Sequence, residues 1–204
     1  MSMQTIRKPL SYLLTPIFAL SLALGISAWP QEAQAHKGHA GSNVVFMQKK
    51  AALKEMLPAG ARITKRKQPL KEDAAAWAEK TYGIELDDKL YSYYLATDKT
   101  SKAIAGAAYV GEKHYRHGDL KFAVGIDANQ RITQVAILGI NEKYVVDFEG
   151  NVGTGLIADY AGLSLQELIA KTDELASSDK ATREFSTAVR DAAVLLAAFL
   201  RDAK

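Results

Sequence analysis

A strand–turn–strand pattern fills the stretch LKFAVGIDANQRITQVAILGINE, Leu120–Glu142. Apolar side chains occupy every second position of its first part, which is the period of a strand with one buried face; they belong to Phe122, Val124 and Ile126. Asp127-Ala128-Asn129-Gln130 has the composition of a hairpin turn, and RITQVAIL from Arg131 to Leu138 follows it. The stretch predicts two antiparallel strands joined by a tight turn.

The chain before this hairpin has the same strand character. Leu90–Ala96 (LYSYYLA) is aromatic and favours a strand, and a turn at Thr97–Lys99 separates it from Ala103–Val110 (AIAGAAYV). The small residues of the second segment suggest that another backbone approaches it closely. Ile63 lies in a further short strand candidate. Because the connections are short, we expect an antiparallel meander and not a parallel sheet.

Helical patterns stand on both sides of these strands. Val44–Met56 and Leu70–Tyr82 have helical spacing, and Gly83 is placed to end the second helix. Ser164–Glu167 (SLQE) fits a capping box that starts a short helix. The last helix is predicted from Asp179 to Leu200, with an apolar stripe along one side. The expected fold class is therefore α+β: a single domain whose antiparallel sheet is flanked by N- and C-terminal helices.

The first 35 residues resemble a bacterial secretory signal. Arg7 and Lys8 form a basic start, Leu10–Trp29 is nearly all apolar, and Ala33–Ala35 offers a small-x-small cleavage site before His36. The alternative is an uncleaved membrane anchor, since the apolar run has about the 20 residues needed to span a bilayer. Either interpretation predicts a periplasmic location, or one on the extracytoplasmic face of the membrane.

The segment after the signal divides into two parts. Residues 36–43 are polar and Gly-rich and are expected to form a flexible N-terminus, and residues 44–204 are expected to form the folded domain. His36 and His39 lie in the flexible part, and an N-terminal His can bind Cu(II), so they are the metal-ligand candidates. His114 and His117 are expected on opposite faces of a strand, which argues against a shared metal.

Composition excludes several classes of function. The chain has no cysteine, which rules out disulfides, thiol catalysis and Cys-bound metal centres. A net charge of +3 is too weak to favour nucleic acid as a partner, and the basic run Lys65–Lys67 is expected to be a solvated loop or strand end. No GxSxG or HExxH motif is present, so no catalytic residues are assigned.

Two segments could hold an anion. The Gly-rich run GNVGTG at Gly150–Gly155 could cradle a phosphate with backbone N–H groups, although it lacks the Gly-Lys-Ser/Thr of a P-loop. The start of the last helix combines unpaired N–H groups with nearby hydroxyl and guanidinium donors; these come from Ser177, Ser178, Thr182 and Arg183. The alternative for the second segment is ordinary helix capping by Ser178 or Asp179.

The order of these pieces resembles the FMN-binding domain family, which includes the flavin-carrying extracytoplasmic subunits of the Rnf and sodium-pumping NADH:quinone reductase complexes. The similarity spans roughly Val44–Leu200 and is carried by three segments: Leu120–Glu142, LIADYAGLSLQEL at Leu156–Leu168, and AVRDAAVLLAAF at Ala188–Phe199. The resemblance implies an FMN-binding, electron-transfer protein whose partners are membrane-bound or periplasmic redox proteins.

The family's flavin-attachment motif, D-x-x-S-G-A-T-x-T/S, is degenerate here. Asp173 matches the motif's Asp, but Asp179 stands where the flavin-bearing Thr is expected, and a carboxylate cannot form the phosphoester. A shifted alignment would place the attachment at Thr182. The resemblance thus implies noncovalent FMN more than covalent FMN. The residues implied to hold its phosphate are Asp173, Ser177, Ser178, Thr182 and Arg183, around Asp179, with Gly153, Thr154 and Gly155 as weaker candidates.

The resemblance and its degenerate motif leave two functions open. The first is an extracytoplasmic FMN-binding protein with a role in electron transfer. The alternative is a cofactor-free binding or sensory module that serves a membrane redox or metal system, and the degenerate motif favours it.

Overall fold

The computed structural model describes residues 41–87, 89–149 and 157–203, which form a six-stranded antiparallel sheet with helices on both faces. The α+β fold class predicted from the sequence is confirmed. The strands are β1 Asn43–Val45, β2 Arg62–Pro69, β3 Leu90–Thr97, β4 Ile104–Tyr115, β5 Gly118–Asp127 and β6 Ile132–Asn141. The described helices of five or more residues are α1 Lys49–Met56, α2 Glu72–Tyr82, α3 Val145–Glu149, α4 Leu165–Glu174 and α5 Lys180–Asp202.

The predicted meander is the centre of the sheet, whose strand order is β1-β6-β5-β4-β3-β2. Strands β3 to β6 pair antiparallel with their neighbours in sequence. The hairpin turn between β5 and β6 is held by Asp127, whose Oδ1 accepts from the amides of Asn129 at 2.8 Å and Arg131 at 2.9 Å. Carboxylate side chains stabilise turns in this way by bonding nearby backbone N–H groups.

The N-terminal part differs from the sequence prediction in two places. Helix α1 begins at Lys49 and not at Val44, because Asn43–Val45 pairs with the end of β6 as an edge strand. The strand around Ile63 is eight residues long and contains Lys65–Lys67. Its charged side chains hide the strand period, and such side chains are common on edge strands, where they oppose pairing with other chains.

The segment expected to be a flexible N-terminus is described from residue 41 onwards. The Gly41 carbonyl accepts from Asn141 Nδ2 at 2.7 Å, and the Ser42 carbonyl accepts from the Glu142 amide at 2.8 Å. These bonds continue the pairing of β1 with β6. Residues 36–40 lie outside the described part of the chain.

One face of the sheet carries the main core, beneath helix α5. The predicted stripe of α5 is confirmed, with its apolar side chains at most 5% exposed; they include Phe185, Val189, Ala192, Leu196 and Phe199. The ring of Phe199 stacks on Tyr93 of β3, with centroids 4.6 Å apart and planes 6° apart. Helices α2 and α4 pack beside α5, and Ser186 donates to Thr172 Oγ1 of α4 at 3.1 Å.

The other face carries α1 alone among the described helices, above a floor of small side chains. That floor is formed by Ala96, Ala108, Ala123 and Ala136. A Cβ on Gly125 of β5 would lie 2.6 Å from Met56 Cβ, so only glycine leaves room for the helix there. In the second predicted strand, a Cβ on Gly106 would lie 2.7 Å from the Ile126 carbonyl oxygen, so another backbone does approach it closely, as the sequence suggested.

Two predicted helix boundaries are confirmed. Ser164 and Glu167 form a reciprocal capping box at the start of α4: the Ser164 amide donates to Glu167 Oε2 at 2.7 Å, and the Glu167 amide donates to Ser164 Oγ at 3.3 Å. Gly83 ends α2 with a left-handed backbone, φ 67°. Such geometry is favourable for glycine because it has no Cβ.

Replacement of Phe199 with alanine is expected to lower the free energy of unfolding by about 3–5 kcal/mol, because it leaves a cavity under Tyr93. The matched control is Phe46→Ala. Because Phe46 is 45% exposed, this substitution should lower the free energy of unfolding far less. Urea unfolding followed by circular dichroism measures both. Equal losses for the two variants would contradict this account of the core.

Candidate functional site

The start of α5 is capped by Asp179, the residue that the sequence resemblance aligns with a flavin-bearing Thr. Its Oδ1 accepts from the Thr182 amide at 3.0 Å, and its Oδ2 accepts from the Thr182 hydroxyl at 2.7 Å. This is an N-cap supplied by a carboxylate, one of the most favourable capping groups. The carboxylate thereby uses donors of the first turn of α5 that would otherwise face a bound anion.

The cap also fixes the charge of this site. Partial burial raises the pKa of the Asp179 carboxyl, but hydrogen bonds from the backbone and hydroxyl of Thr182 and from the Ala181 amide outweigh it, so the pKa lies below its ordinary value. Asp179 is therefore negatively charged at neutral pH. A negative charge at a helix N-terminus stabilises the helix and repels a second anion.

The structure brings some of the predicted phosphate-binding residues together around this cap. Arg183 Nη1 turns back to donate to the Ser178 carbonyl at 3.1 Å, and its side chain is exposed. Ser177 is exposed in a single 3-10 turn just before the cap. Thr182 is only 5% exposed. Its buried, hydrogen-bonded hydroxyl is poorly placed to carry a covalent group.

Asp173 lies away from this cluster. It lies on the last turn of α4 and lines a shallow groove between α4 and α2, with Tyr82 and Ile169 among its neighbours. Its match to the family motif therefore does not bring its carboxylate into the cap of α5. As a phosphate contact it remains a prediction from the sequence alone.

The other predicted site residues lie outside the described part of the chain. This applies to Gly153, Thr154 and Gly155 of the Gly-rich run and to His36 and His39. Within residues 41–87, 89–149 and 157–203, no group of three or more acidic or His side chains could hold a metal ion. Within the same ranges, no helix has the length and apolar character that crossing a bilayer requires.

An aromatic and basic cluster next to the start of α5 was not predicted. The buried Tyr115 donates its hydroxyl to Asp147 Oδ2 at 2.8 Å, and Arg116 Nε lies 3.2 Å from the same oxygen. The guanidinium of Arg116 lies 5.6 Å from the ring centre of Tyr144, and the Lys180 ammonium lies 5.8 Å from that of Tyr115. Tyr115 and Arg116 are adjacent in the sequence, but their shared partner Asp147 comes 32 residues after Tyr115. The sequence alone therefore did not indicate the cluster.

A crevice between α5 and strands β3–β5 is the second feature that the sequence did not reveal. Its volume is about 300 Å³, and its aromatic walls are Tyr91, Tyr109 and Phe122. A Cβ on Gly111 would collide with the ring of Tyr109 and lie 3.0 Å from Phe122 Cζ, so this glycine makes room for both rings. Burial raises the pKa of Tyr91 and of Tyr109, so both stay neutral at physiological pH.

Charged side chains surround the aromatic walls of this crevice, and one of them connects it to the start of α5. Two lysines, Lys89 and Lys113, and four carboxylate side chains line it; the carboxylates belong to Glu85, Asp87, Glu112 and Asp191. Lys113 Nζ also lies 3.0 Å from the carboxylate of Glu184, which is one turn beyond Lys180 on α5. The arrangement is a slot with aromatic walls and a charged rim in which carboxylates outnumber ammonium groups, and its walls suit a flat conjugated ring.

No family model, curated protein or solved structure matches this chain. The resemblance to the FMN-binding domain family therefore depends on the sequence segments quoted above, and FMN binding stays a prediction.

Replacement of Asp179 with alanine is expected to lower the free energy of unfolding by about 0.5–2 kcal/mol at neutral pH, because it removes the cap of α5. Since the folded-state pKa of Asp179 is lowered, the charged cap contributes fully above the unfolded value of about 3.9, and its contribution is lost as the pH falls below it. Urea titrations at neutral and acid pH should show the gap between wild type and variant closing in acid.

Asp179→Asn is the matched control, because an amide caps a helix about as well as a carboxylate. It should retain most of the stability at neutral pH. An Asp179→Ala variant as stable as wild type would show that the observed cap does not hold the helix start.

Proposed function

We propose that the protein is an extracytoplasmic FMN-binding protein with a role in electron transfer, and that it holds the flavin without a covalent bond. The observation that carries the proposal is the aromatic crevice between α5 and strands β3–β5. Tyr91, Tyr109 and Phe122 offer flat apolar surface there, and the rim supplies both positive and negative groups. Ligand sites of this kind combine apolar walls with a few polar contacts.

The start of α5 is the proposed place for the phosphate. Lys180 and Arg183 are exposed on its first turn, and Arg116 lies against the same aromatic cluster as Lys180. These positive charges counteract the negative charge of Asp179. A phosphate could therefore be held beside the helix cap, where it would not replace the Asp179 carboxylate. Along the helix, Ala188 lies eight residues beyond Lys180, a rise of about 12 Å, which separates the proposed phosphate contacts from the crevice.

Noncovalent binding is favoured over attachment at Thr182 by the surroundings of that side chain. The Thr182 hydroxyl donates to Asp179 at 2.7 Å, and the residue is 5% exposed. Phosphoester formation would break this bond and require burial of a phosphate beside a carboxylate, which is costly. A bound flavin would supply the redox chemistry, and the protein would orient the ring and tune its potential. The proposed partners are membrane-bound or periplasmic redox proteins.

The second candidate is a cofactor-free binding or sensory module of a membrane redox or metal system. The carboxylate of Asp179 favours it, because that group already satisfies the donors that a phosphate would use. In this alternative the fold is retained, and the start of α5 is a structural cap without a ligand.

Quenching of FMN fluorescence on titration with the protein tests the first candidate. Tyr109→Leu should weaken FMN binding by about tenfold, because it removes an aromatic wall of the crevice. Tyr94→Leu is the matched control, since Tyr94 lies on the opposite face of the sheet, near α1, and should leave the affinity unchanged. Equal effects of the two substitutions would contradict a flavin site in the crevice.

Asp179→Asn separates the two candidates in the same titration. Removal of the negative charge beside the proposed phosphate should strengthen FMN binding by up to about fivefold while the helix cap is kept. If neither wild type nor this variant binds FMN, the cofactor-free candidate replaces the first.

A further inference from the structure

A second cavity lies on the opposite face of the sheet, between α1 and the edge strand β2. Its volume is about 570 Å³, within the range of about 300–1,000 Å³ that is usual for small-molecule sites. We call it the α1–β2 slot and define it by its apolar lining, which comprises Leu53, Leu57, Pro58, Ala61, Ile63 and Tyr94. It lies outside the core beneath α5, so it is separate from the proposed flavin crevice.

The slot exists because α1 covers only part of its sheet face. Ala52 and Met56 of α1 are buried over the alanine floor, whereas the neighbouring side of the helix faces β2 across a gap. Ile63 on the far side of that gap is 45% exposed, although it is a large apolar residue. Exposed apolar surface that lines a concave site is a mark of ligand binding.

The rim of the slot is positively charged. Lys49, Lys50 and Lys54 of α1 line it, and all three are exposed. Lys65 stands opposite Tyr94 in the pairing of β2 with β3, and paired residues point to the same face, so a fourth ammonium adjoins the slot. None of these four lysines forms an ion pair with a described residue.

We propose that the α1–β2 slot binds an anionic amphiphile with a single hydrocarbon chain, of the fatty-acid class. The chain lies along Leu53, Leu57 and Ile63, and the carboxylate is paired with the lysines at the rim. Burial of apolar chain surface supplies the attraction, and the ammonium groups select an anionic over a neutral head group. A concave slot of about 570 Å³ suits a single chain better than the flat surface of a bilayer. This proposal does not depend on flavin binding.

Isothermal titration calorimetry with decanoate and with decanol, each below its aggregation concentration, tests the head-group preference. Wild type should bind decanoate roughly tenfold more tightly than decanol. The double variant Lys50→Gln/Lys54→Gln should lose roughly three- to tenfold in affinity for decanoate and none for decanol. The matched control is Lys80→Gln/Lys102→Gln, which removes the same charge from exposed lysines outside the slot and should change nothing.

A second pair of variants tests the contact between the slot and the hydrocarbon chain of the ligand. Ile63→Thr keeps a β-branched residue in β2 and should weaken binding of both ligands by roughly threefold or more. Val45→Thr makes the same kind of change in β1, where Val45 is 59% exposed, and should have no effect. Thermal unfolding of every variant checks that the fold is intact.

Three results would overturn the proposal. The first is equal affinity of wild type for decanoate and decanol. The second is an equal loss of decanoate affinity in the slot variants and in their control variants. The third is that the protein binds anionic phosphatidylglycerol vesicles and that decanoate does not displace it from them. That result would show that the lysines at the rim of the α1–β2 slot recognise a membrane surface and not a single chain.

Discussion

The packing of α5 against one face of the sheet determines where the helix cap and the aromatic crevice lie. Phe185, Val189, Leu196 and Phe199 of this helix are at most 1% exposed, and each fully buried apolar side chain contributes about 1.5–3 kcal/mol. The helix is 23 residues long, so this burial also fixes the position of its first turn. The cap at Asp179 and one wall of the aromatic crevice both follow from it.

At the start of α5, helix stability and anion binding compete for the same donors. At neutral pH Asp179 stabilises the helix with a negative charge, and it accepts hydrogen bonds from the amide and the hydroxyl of Thr182. Lys180 and Arg183 bring positive charge to the same turn, which leaves room for an anion beside the cap. The balance between these groups decides whether the site holds a flavin phosphate or is structural.

The sequence predicted the parts of the fold whose signal is local. The alternation at Phe122, Val124 and Ile126 and the capping box at Ser164 were sufficient to place a hairpin and a helix start. The sequence pattern placed the start of α1 too early, at Val44. Val44 and Val45 suit either a strand or a helix, and pairing with β6 decides that they form a strand. The crevice could not be predicted, because Tyr91 and Tyr109 meet α5 only through strand register and helix packing. The Asp179 cap was foreseen as an alternative.

The central claim is that this fold carries a noncovalently bound FMN. The visible absorption spectrum of protein exported in its native way and gently purified, recorded before and after acid precipitation, tests it most directly. The account predicts flavin bands that move into the supernatant on precipitation. Flavin retained in the pellet would show a covalent bond, and a colourless protein that takes up no flavin after soaking with FMN would contradict the claim.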